Sequence, residues 1–273
     1  MLVSKDSTTI IFFIKLSMLF LTLLVLSGCS ATAKKNIVPQ VESETSLSDD
    51  SDDFGDEFDD EFAEEEVFDP LSGYNRVMTS FNDTFYTYLL DPVARGYRYV
   101  VHEEVRDSVG KFFHNLLYPI RFINNILQLK FKNAMEETGR FLVNSTVGLL
   151  GLFDPAKKYL DWKPHNEDFG QTLGYYGVGS GFHVVLPFLG PSNLRDMFSM
   201  YPETEVSPLY YKPKRAYNLA KNDLESLGYV SMERLNFVSL HIGEYEGLKE
   251  DAVDLYPFLR DIYEQYREKL IKE

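Results

Sequence analysis

The sequence predicts an all-α domain over residues 69–273, a bundle of amphipathic helices around a central Gly-rich apolar hairpin. Three observations carry this. Apolar residues recur at spacings of three and four, the period of a helix with one apolar face. No stretch shows sustained period-two alternation, so a sheet is not expected. Three Asp-Pro pairs, Asp69-Pro70, Asp91-Pro92 and Asp154-Pro155, read as helix starts, because Asp caps free amides and Pro has no N–H to lose in the first turn.

In chain order, Tyr74, Val77, Met78, Phe81, Phe85, Tyr88 and Leu89 fall on one helical stripe. Val105, Val109, Phe112, Phe113, Leu116 and Leu117 make a second, which runs on through Ile120, Ile123 and Leu127 and is kinked by Pro119. A third helix is expected from Lys132 to Leu150. The stretch Asp168 to Gly190 holds six of the chain's 17 glycines. Gly170 and Gly174 lie one helical turn apart there, which lets another helix approach closely. Gly177 to Gly181 should break the helix and turn the chain, and Phe182 to Leu189 is then almost wholly apolar. A closing helix carries Ala252, Leu255, Tyr256, Leu259, Ile262, Tyr263, Tyr266 and Leu270, and restarts or bends at Pro257.

The segments before the domain differ in kind. Lys5 and Lys15, the apolar run Leu16 to Leu26 and the small residues Ser27 and Gly28 read as an export signal over 1–28, too short for a comfortable membrane span. The only cysteine, Cys29, follows directly and excludes an intramolecular disulfide framework. Leu26-Ser27-Gly28-Cys29 resembles the bacterial lipoprotein box, which makes Cys29 the expected lipidation site. Residues 29–68 read as a disordered acidic tether, in which Phe54, Phe58 and Phe62 recur every four residues. Between Glu42 and Asp69 stand 15 acidic residues and no Lys or Arg, while residues 70–273 are nearly neutral. The net charge of −15 therefore belongs to the tether, and it excludes nucleic acid as a partner.

Motifs for chemistry are weak. Ser180 lacks the flanking glycines of a nucleophile elbow, since Val178 and Phe182 stand in their places. Gly177 and Gly179 do not open a dinucleotide fingerprint, and no phosphate-loop Lys follows. His165, Glu167 and Asp168 have no helical metal-ligand spacing. His183 on the apolar segment reads as hydrogen-bonded. The chain is therefore read as a non-enzyme with no cofactor and no metal site. Aromatic residues make up 15% of it, a heavy load to hide in one ordinary core.

Several segments resemble one family. Asp69-Pro70-Leu71-Ser72-Gly73-Tyr74-Asn75-Arg76 is similar to the DPLEGFNR opening of the MlaA (VacJ) lipoproteins. Arg140 to Gly148 resembles that family's RFxxNxxxG helix, Phe169 to Gly179 its FGxTLGxYGVG motif, and Leu186 to Asp196 its LPxxGPxxxRD. Tyr256, Arg260, Asp261, Tyr263 and Arg267 resemble its closing helix. The long acidic tether is where this chain departs from more compact members.

The resemblance implies a ring-like helical protein, lipid-anchored at the outer membrane of a Gram-negative bacterium, in its inner leaflet and on its periplasmic face. It implies an amphipathic channel that removes mislocalised phospholipid from the outer leaflet, preserves lipid asymmetry by retrograde transport in the Mla pathway, and uses no cofactor. The implied partners are phospholipid, an outer-membrane porin trimer and a periplasmic phospholipid-binding carrier. On this reading Tyr175, Tyr176, Val178, Ser180, Phe182, Val184, Val185, Leu186 and Phe188 are candidates to line the channel, with ordinary core packing as the alternative, and Arg195 is a candidate headgroup contact, because guanidinium pairs well with phosphate, or else a buried structural partner of Asp196 or another acid. The alternative is a structural envelope lipoprotein that acts as a scaffold through the acidic tether.

Overall fold

The computed structural model describes residues 68–273. The export signal, Cys29, and the tether with Phe54, Phe58 and Phe62 lie outside the described residues. Helix α1 (Ser72–Phe85) runs without a break through a π-helical turn at Tyr86–Leu90 into α2 (Asp91–Val100). Then come α3 (Glu103–Leu116), α4 (Tyr118–Leu127), α5 (Phe131–Thr146), the short α6 (Pro155–Leu160) and α7 (Phe169–Tyr175). Strands β1 (His183–Leu186) and β2 (Gly190–Asn193) form an antiparallel hairpin, pairing His183 with Asn193 and Leu186 with Gly190. Helices α8 (Leu194–Val206), α9 (Asp223–Leu240), α10 (Glu244–Asp251) and α11 (Leu255–Lys272) complete the domain. None of the described helices is long and apolar enough to cross a membrane.

The fold is mostly helical as expected, with local differences that have physical causes. The small sheet was not foreseen, because four-residue strands are too short to show alternation. Of the three Asp-Pro pairs, one is a helix start: Asp154 accepts the Lys157 amide and Pro155 opens α6. Asp91-Pro92 lies within a continuous helix. Pro92 lacks an N–H, and the wider π turn just before it absorbs the mismatch. Asp69 sits ahead of α1, whose first residue is Ser72, and its carboxylate is used in tertiary contacts. Pro119 divides the second stripe into two helices by taking the first turn of α4. Pro257 lies in the first turn of α11, where no N–H is missed, and Ala252, expected on that helix, instead ends α10 in extended backbone because Asp254 caps α11 after it. Helix α5 stops at Thr146, and the chain turns where Leu149 and Leu150 were expected to be helical.

Burial is inverted relative to a water-soluble domain. Among the described residues, 25 polar or charged side chains are buried against 10 apolar or aromatic ones, and 38 large apolar or aromatic side chains are exposed. Buried polar groups hold the helices together. Asn236 on α9 donates to the Arg106 carbonyl of α3 at 2.9 Å and accepts from the Tyr97 hydroxyl of α2 at 3.2 Å. Glu137 on α5 is fully buried. It takes a hydrogen bond from Arg121 Nε of α4 at 2.7 Å and one from the His165 amide at 2.8 Å. Arg140, one turn along, faces the same carboxylate at 3.6 Å and pairs with Asp154 at 2.9 Å. Such interhelical hydrogen bonds are the expected glue when the surroundings of a bundle are as apolar as its interior.

A second buried cluster joins three distant parts of the chain. Asp168 caps α7, accepting the Gln171 amide at 2.7 Å while Gln171 Oε1 accepts the Asp168 amide, a reciprocal capping box. The same carboxylate accepts two hydrogen bonds from Arg267 of α11, at 2.6 and 2.9 Å. Arg267 also faces Asp196 of α8 at 2.8 Å. Burial pushes the Asp196 carboxyl up, but Arg195, Arg267 and the Tyr263 hydroxyl outweigh it and hold the group below the usual carboxylate range. Helix α11 reaches this close because α7 carries glycine on the facing side. A Cβ at Gly170 would overlap the Asp196 carboxylate and the Arg267 guanidinium, and one at Gly174 would stand 2.5 Å from Ile271 Cδ1. The expected close approach at this glycine pair is thus made by α11 and α8.

Four outcomes follow for stability. Glu137→Ala leaves two guanidinium groups short of their shared counter-charge, and should cost about 3–5 kcal/mol in denaturant unfolding followed by circular dichroism. The exposed pair Lys272–Glu268, broken by Glu268→Ala, should cost under about 1 kcal/mol in the same assay. Gly170→Ala should destabilise by about 1–3 kcal/mol through overpacking, whereas Gly73→Ala, with open space at that position, should be neutral or stabilising. Equal effects for the two glycines would contradict the clamp. Glu203, whose Oε1 accepts the Phe169 amide at 3.2 Å, has its pKa pushed up to about 7 by burial and by Asp168. The folded state then holds a proton that the unfolded state releases near pH 4.5. Stability should fall as pH rises from about 4.5 to about 7, and Glu203→Gln should flatten that slope in melting curves.

Candidate functional site

The hairpin is held from one side by two asparagines of α1. Asn75 is fully buried, donates to the His183 carbonyl at 3.0 Å and accepts the Val185 amide at 2.9 Å. Asn82 lies seven residues on, two turns along the same face. It donates to the Leu186 carbonyl at 2.9 Å and accepts the Phe188 amide at 2.7 Å. Each side-chain amide offers a donor and an acceptor, so the pair bonds the free edge of β1 as a neighbouring strand would. Asn75 also donates to Asp69 Oδ1 at 3.2 Å and to the Tyr256 hydroxyl at 3.0 Å. Burial and the Asp69 carboxylate push the Tyr256 phenol up to about 12, so it remains a donor, and it gives its proton to Asp69. On the other side His183 Nδ1 lies 2.9 Å from Glu264 of α11, whose second oxygen accepts from Asn193 at 3.1 Å.

This clamp fixes a strained tip. Pro187, Phe188 and Leu189 connect the strands, and Phe188 adopts a left-handed backbone at φ +65°. That conformation is costly for a bulky side chain and persists only where the surroundings impose it. The Phe188 ring stands edge-on to Phe81 and Phe85 at 5.1 and 4.9 Å, yet remains 58% exposed. It borders an open cleft of about 280 Å³. Phe85, Tyr86 and Leu90 line one wall, Val185, Phe188 and Leu189 a second, and Phe237, Val238, Tyr245 and Leu248 a third. Thr79, Asn82, Arg234, His241 and Glu244 add polar groups to this mainly apolar surface. The cleft is thus amphipathic. Tyr245 closes its far side, donating to Asp83 at 3.0 Å, with its ring tilted against that of Tyr86 at 4.4 Å between centres.

The structure divides the nine residues expected to form one lining. Val185 and Phe188 border the cleft, and Val185 is buried within its wall. Val184 is buried, and Phe182, Leu186 and Ser180 are half-buried. Tyr175, Tyr176 and Val178 are exposed at the end of α7 and do not line the cleft, and the Tyr176 hydroxyl bonds the Leu127 carbonyl. Successive side chains of β1 face opposite sides, which sends Val185 to the cleft and Val184 and Leu186 away from it, while Tyr175, Tyr176 and Val178 come before the hairpin. Arg195 is a buried structural cation. Its Nε donates to Asp196 at 2.9 Å and its Nη1 to the Val178 carbonyl at 3.5 Å, so an architectural pair takes the place of the expected headgroup contact. Cys29 lies outside the described residues. Asn82, Phe237 and Tyr245 were missed. Asn82 sits on the α1 stripe without a motif of its own, and α9 and α10 carry no pattern that ties them to a hairpin some fifty residues earlier.

Comparisons with known proteins bear on the family and the fold. The family model described as MlaA lipoprotein matches residues 67–270. A Rickettsia felis protein, named only as an uncharacterized protein, is 32% identical over 210 residues, covering 76% of this chain and 79% of its own. The Escherichia coli K12 protein named intermembrane phospholipid transport system lipoprotein MlaA is 39% identical over 133 residues, 47% of this chain and 52% of its own. A solved structure titled "Structural basis for maintenance of bacterial outer membrane lipid asymmetry" superposes with a TM-score of 0.64 at 29% identity, over 75% of this chain and all of that one. The match of the family model over residues 67–270, with a relative and a solved structure that cover three quarters of the chain, shows that this chain belongs to the MlaA lipoprotein family.

Proposed function

We propose that this chain provides an amphipathic path by which phospholipid misplaced in the outer leaflet of a Gram-negative outer membrane reaches a periplasmic carrier, so that lipid asymmetry is maintained. The inverted burial carries the reading. A domain with polar glue inside and 38 exposed large apolar or aromatic side chains suits an acyl-chain environment, and its helices meet the requirement that backbone polar groups be bonded internally. The relatives named for phospholipid transport and the solved structure titled for lipid asymmetry support it. The domain is anchored through lipidated Cys29, lies at the inner leaflet on the periplasmic side, and docks against a porin trimer.

The mechanism is access rather than chemistry, with no catalytic residue and no cofactor. An acyl chain slides past the rings of Phe85, Phe188 and Phe237, while the headgroup follows the wetter rim at Asn82, Arg234, His241 and Glu244. The tip is clamped by Asn75 and Asn82, so the apolar wall is built before lipid arrives and little ordering accompanies its entry. A passive path cannot bias an equilibrium, so net direction comes from the higher affinity of the carrier downstream. The scaffold alternative depends on the acidic segment and draws no support from the folded domain.

The reading is tested by reconstituting the protein in vesicles with fluorescent phospholipid and scoring transfer to the carrier. Phe188→Asp places a charge on the apolar wall and should slow transfer by roughly tenfold or more, the factor given by ~1.4 kcal/mol of lost apolar contact. Circular dichroism should show the fold retained. Undiminished transfer in a folded Phe188→Asp protein counts against the cleft as the path.

A further inference from the structure

Helix α5 gives way to Val147-Gly148-Leu149-Leu150-Gly151-Leu152-Phe153 before α6 begins. Every non-glycine side chain here is exposed, Leu149 at 59% and Leu150 at 68%. Leu149 and Leu150 also adopt left-handed backbone, at φ +52° and +61°. That backbone is unfavourable for a leucine, and what the strain achieves is to hold two apolar side chains outward.

The loop is rigid and internally bonded. The Val147 and Gly148 amides donate to the Val143 carbonyl, Leu150 to Ser145, Gly151 to Asn144, Leu152 to Leu149 and Phe153 to Gly148, at 2.8–3.3 Å. A Cβ at Gly148 would stand 2.5 Å from both the Asn144 and Phe153 carbonyl oxygens, so the turn closes tightly on itself. Each unpaired backbone N–H or C=O is costly in hydrocarbon, and here six of the seven loop N–H groups are already paired. The surroundings continue the pattern. Phe131, Met135 and Leu142 are exposed on one face of α5, at spacings of four and seven, and lead into the loop. On the other side Lys157 and Lys158 are exposed on α6, with Lys158 Nζ 5.3 Å from the ring centre of exposed Tyr159. Asp154, the acid at the loop's end, is already neutralised by Arg140. Apolar tip, then Tyr and Lys, is the order of chemistries met on passing from acyl chains to lipid phosphates.

We propose that residues 147–153 form a preformed insertion loop whose leucines enter the acyl layer of a phospholipid leaflet, with Lys157 and Lys158 at the depth of the phosphates, and that this loop sets how deep the domain sits. The proposal rests on the reading that the domain works at a lipid leaflet, but it assigns the contact to a segment away from the cleft.

The test uses the full-length protein in phosphatidylethanolamine and phosphatidylglycerol vesicles whose acyl chains carry bromine at mid-depth. The single native tryptophan, Trp162, gives the baseline. Leu150→Trp should add emission that the brominated lipid quenches several-fold more strongly than that baseline. Replacing both leucines, Leu149→Asn with Leu150→Asn, relieves the strain because Asn accepts left-handed backbone. This double variant should therefore melt no lower than wild type, while quenching of a Tyr159→Trp reporter falls several-fold as the segment withdraws. Three results overturn the proposal. One is a Leu150→Trp signal that brominated lipid does not quench. Another is a Leu150→Trp signal shielded only when a second membrane protein is added, which would make the loop a protein contact. The third is Asn variants that melt lower yet leave the reporter unchanged, which would make the loop purely structural. Lipid transfer is scored separately. Transfer with an unquenched loop sinks this inference alone, and a quenched loop without transfer sinks the functional reading alone.

Discussion

Arg267, near the end of the chain, is shared by two aspartates from elsewhere. Asp168 begins α7 and Asp196 lies in the first turn of α8, and the Gly-rich segment between them is tied down at both ends by the same guanidinium. Around it Tyr263 and Arg195 complete the Asp196 carboxylate at 2.8 and 2.9 Å. Burial works against the Arg267 charge, and the two aspartates more than restore it, holding its pKa above the ordinary arginine value. A buried charge cluster of this kind adds little net stability over an apolar core, yet losing one member is severe. Its effect is positional. It sets α7, the hairpin and α11 in one arrangement, and the cleft wall that Val185 and Phe188 build descends from that arrangement.

The inverted distribution of side chains follows the same logic. Where the surroundings are apolar, burying more apolar surface does not drive helices together, and hydrogen bonds between them become the specific cohesive force. Asn236 with Arg106, Glu137 with Arg121 and Arg140, and Asn75 with the hairpin are separate instances joining separate pairs of elements. Small residues allow the close approach that such bonds need, at Gly170 and Gly174 above all. The aromatic load, hard to place in an ordinary core, is mostly on the outside and around the cleft.

Two of the strained sites display apolar side chains. Phe188 at the hairpin tip and the leucine pair after α5 are bulky residues in left-handed backbone, the first held by Asn82 of α1 and the second by bonds within its own turn and to the end of α5. Both present apolar side chains outward. A flexible loop would fold such side chains back onto the protein, whereas a locked one keeps them displayed.

The amino-acid sequence alone determined the helical class, the stripes of α1, α3 and α11, the Asp154 cap, the close-packing role of Gly170 and Gly174 and the family, because these depend on local spacing and on motifs read along the chain. It misplaced two of the three Asp-Pro starts, overran α5 and missed the hairpin's pairing. Whether a proline opens a helix or is absorbed by a π turn, and whether four residues pair as a strand, depend on what lies beside them. The site was the least legible. Val185 and Phe188 were named, but Tyr175, Tyr176 and Val178 were grouped with them although strand and turn geometry sends them elsewhere. For Arg195 the sequence left a headgroup contact and a structural pair with Asp196 both open, and the structure shows the pair, with the Val178 carbonyl beside it. Only the tertiary structure brought α9 and α10 against the hairpin tip. That contact joins residues some fifty positions apart, and no periodicity along the chain encodes which distant surface will complete a cleft.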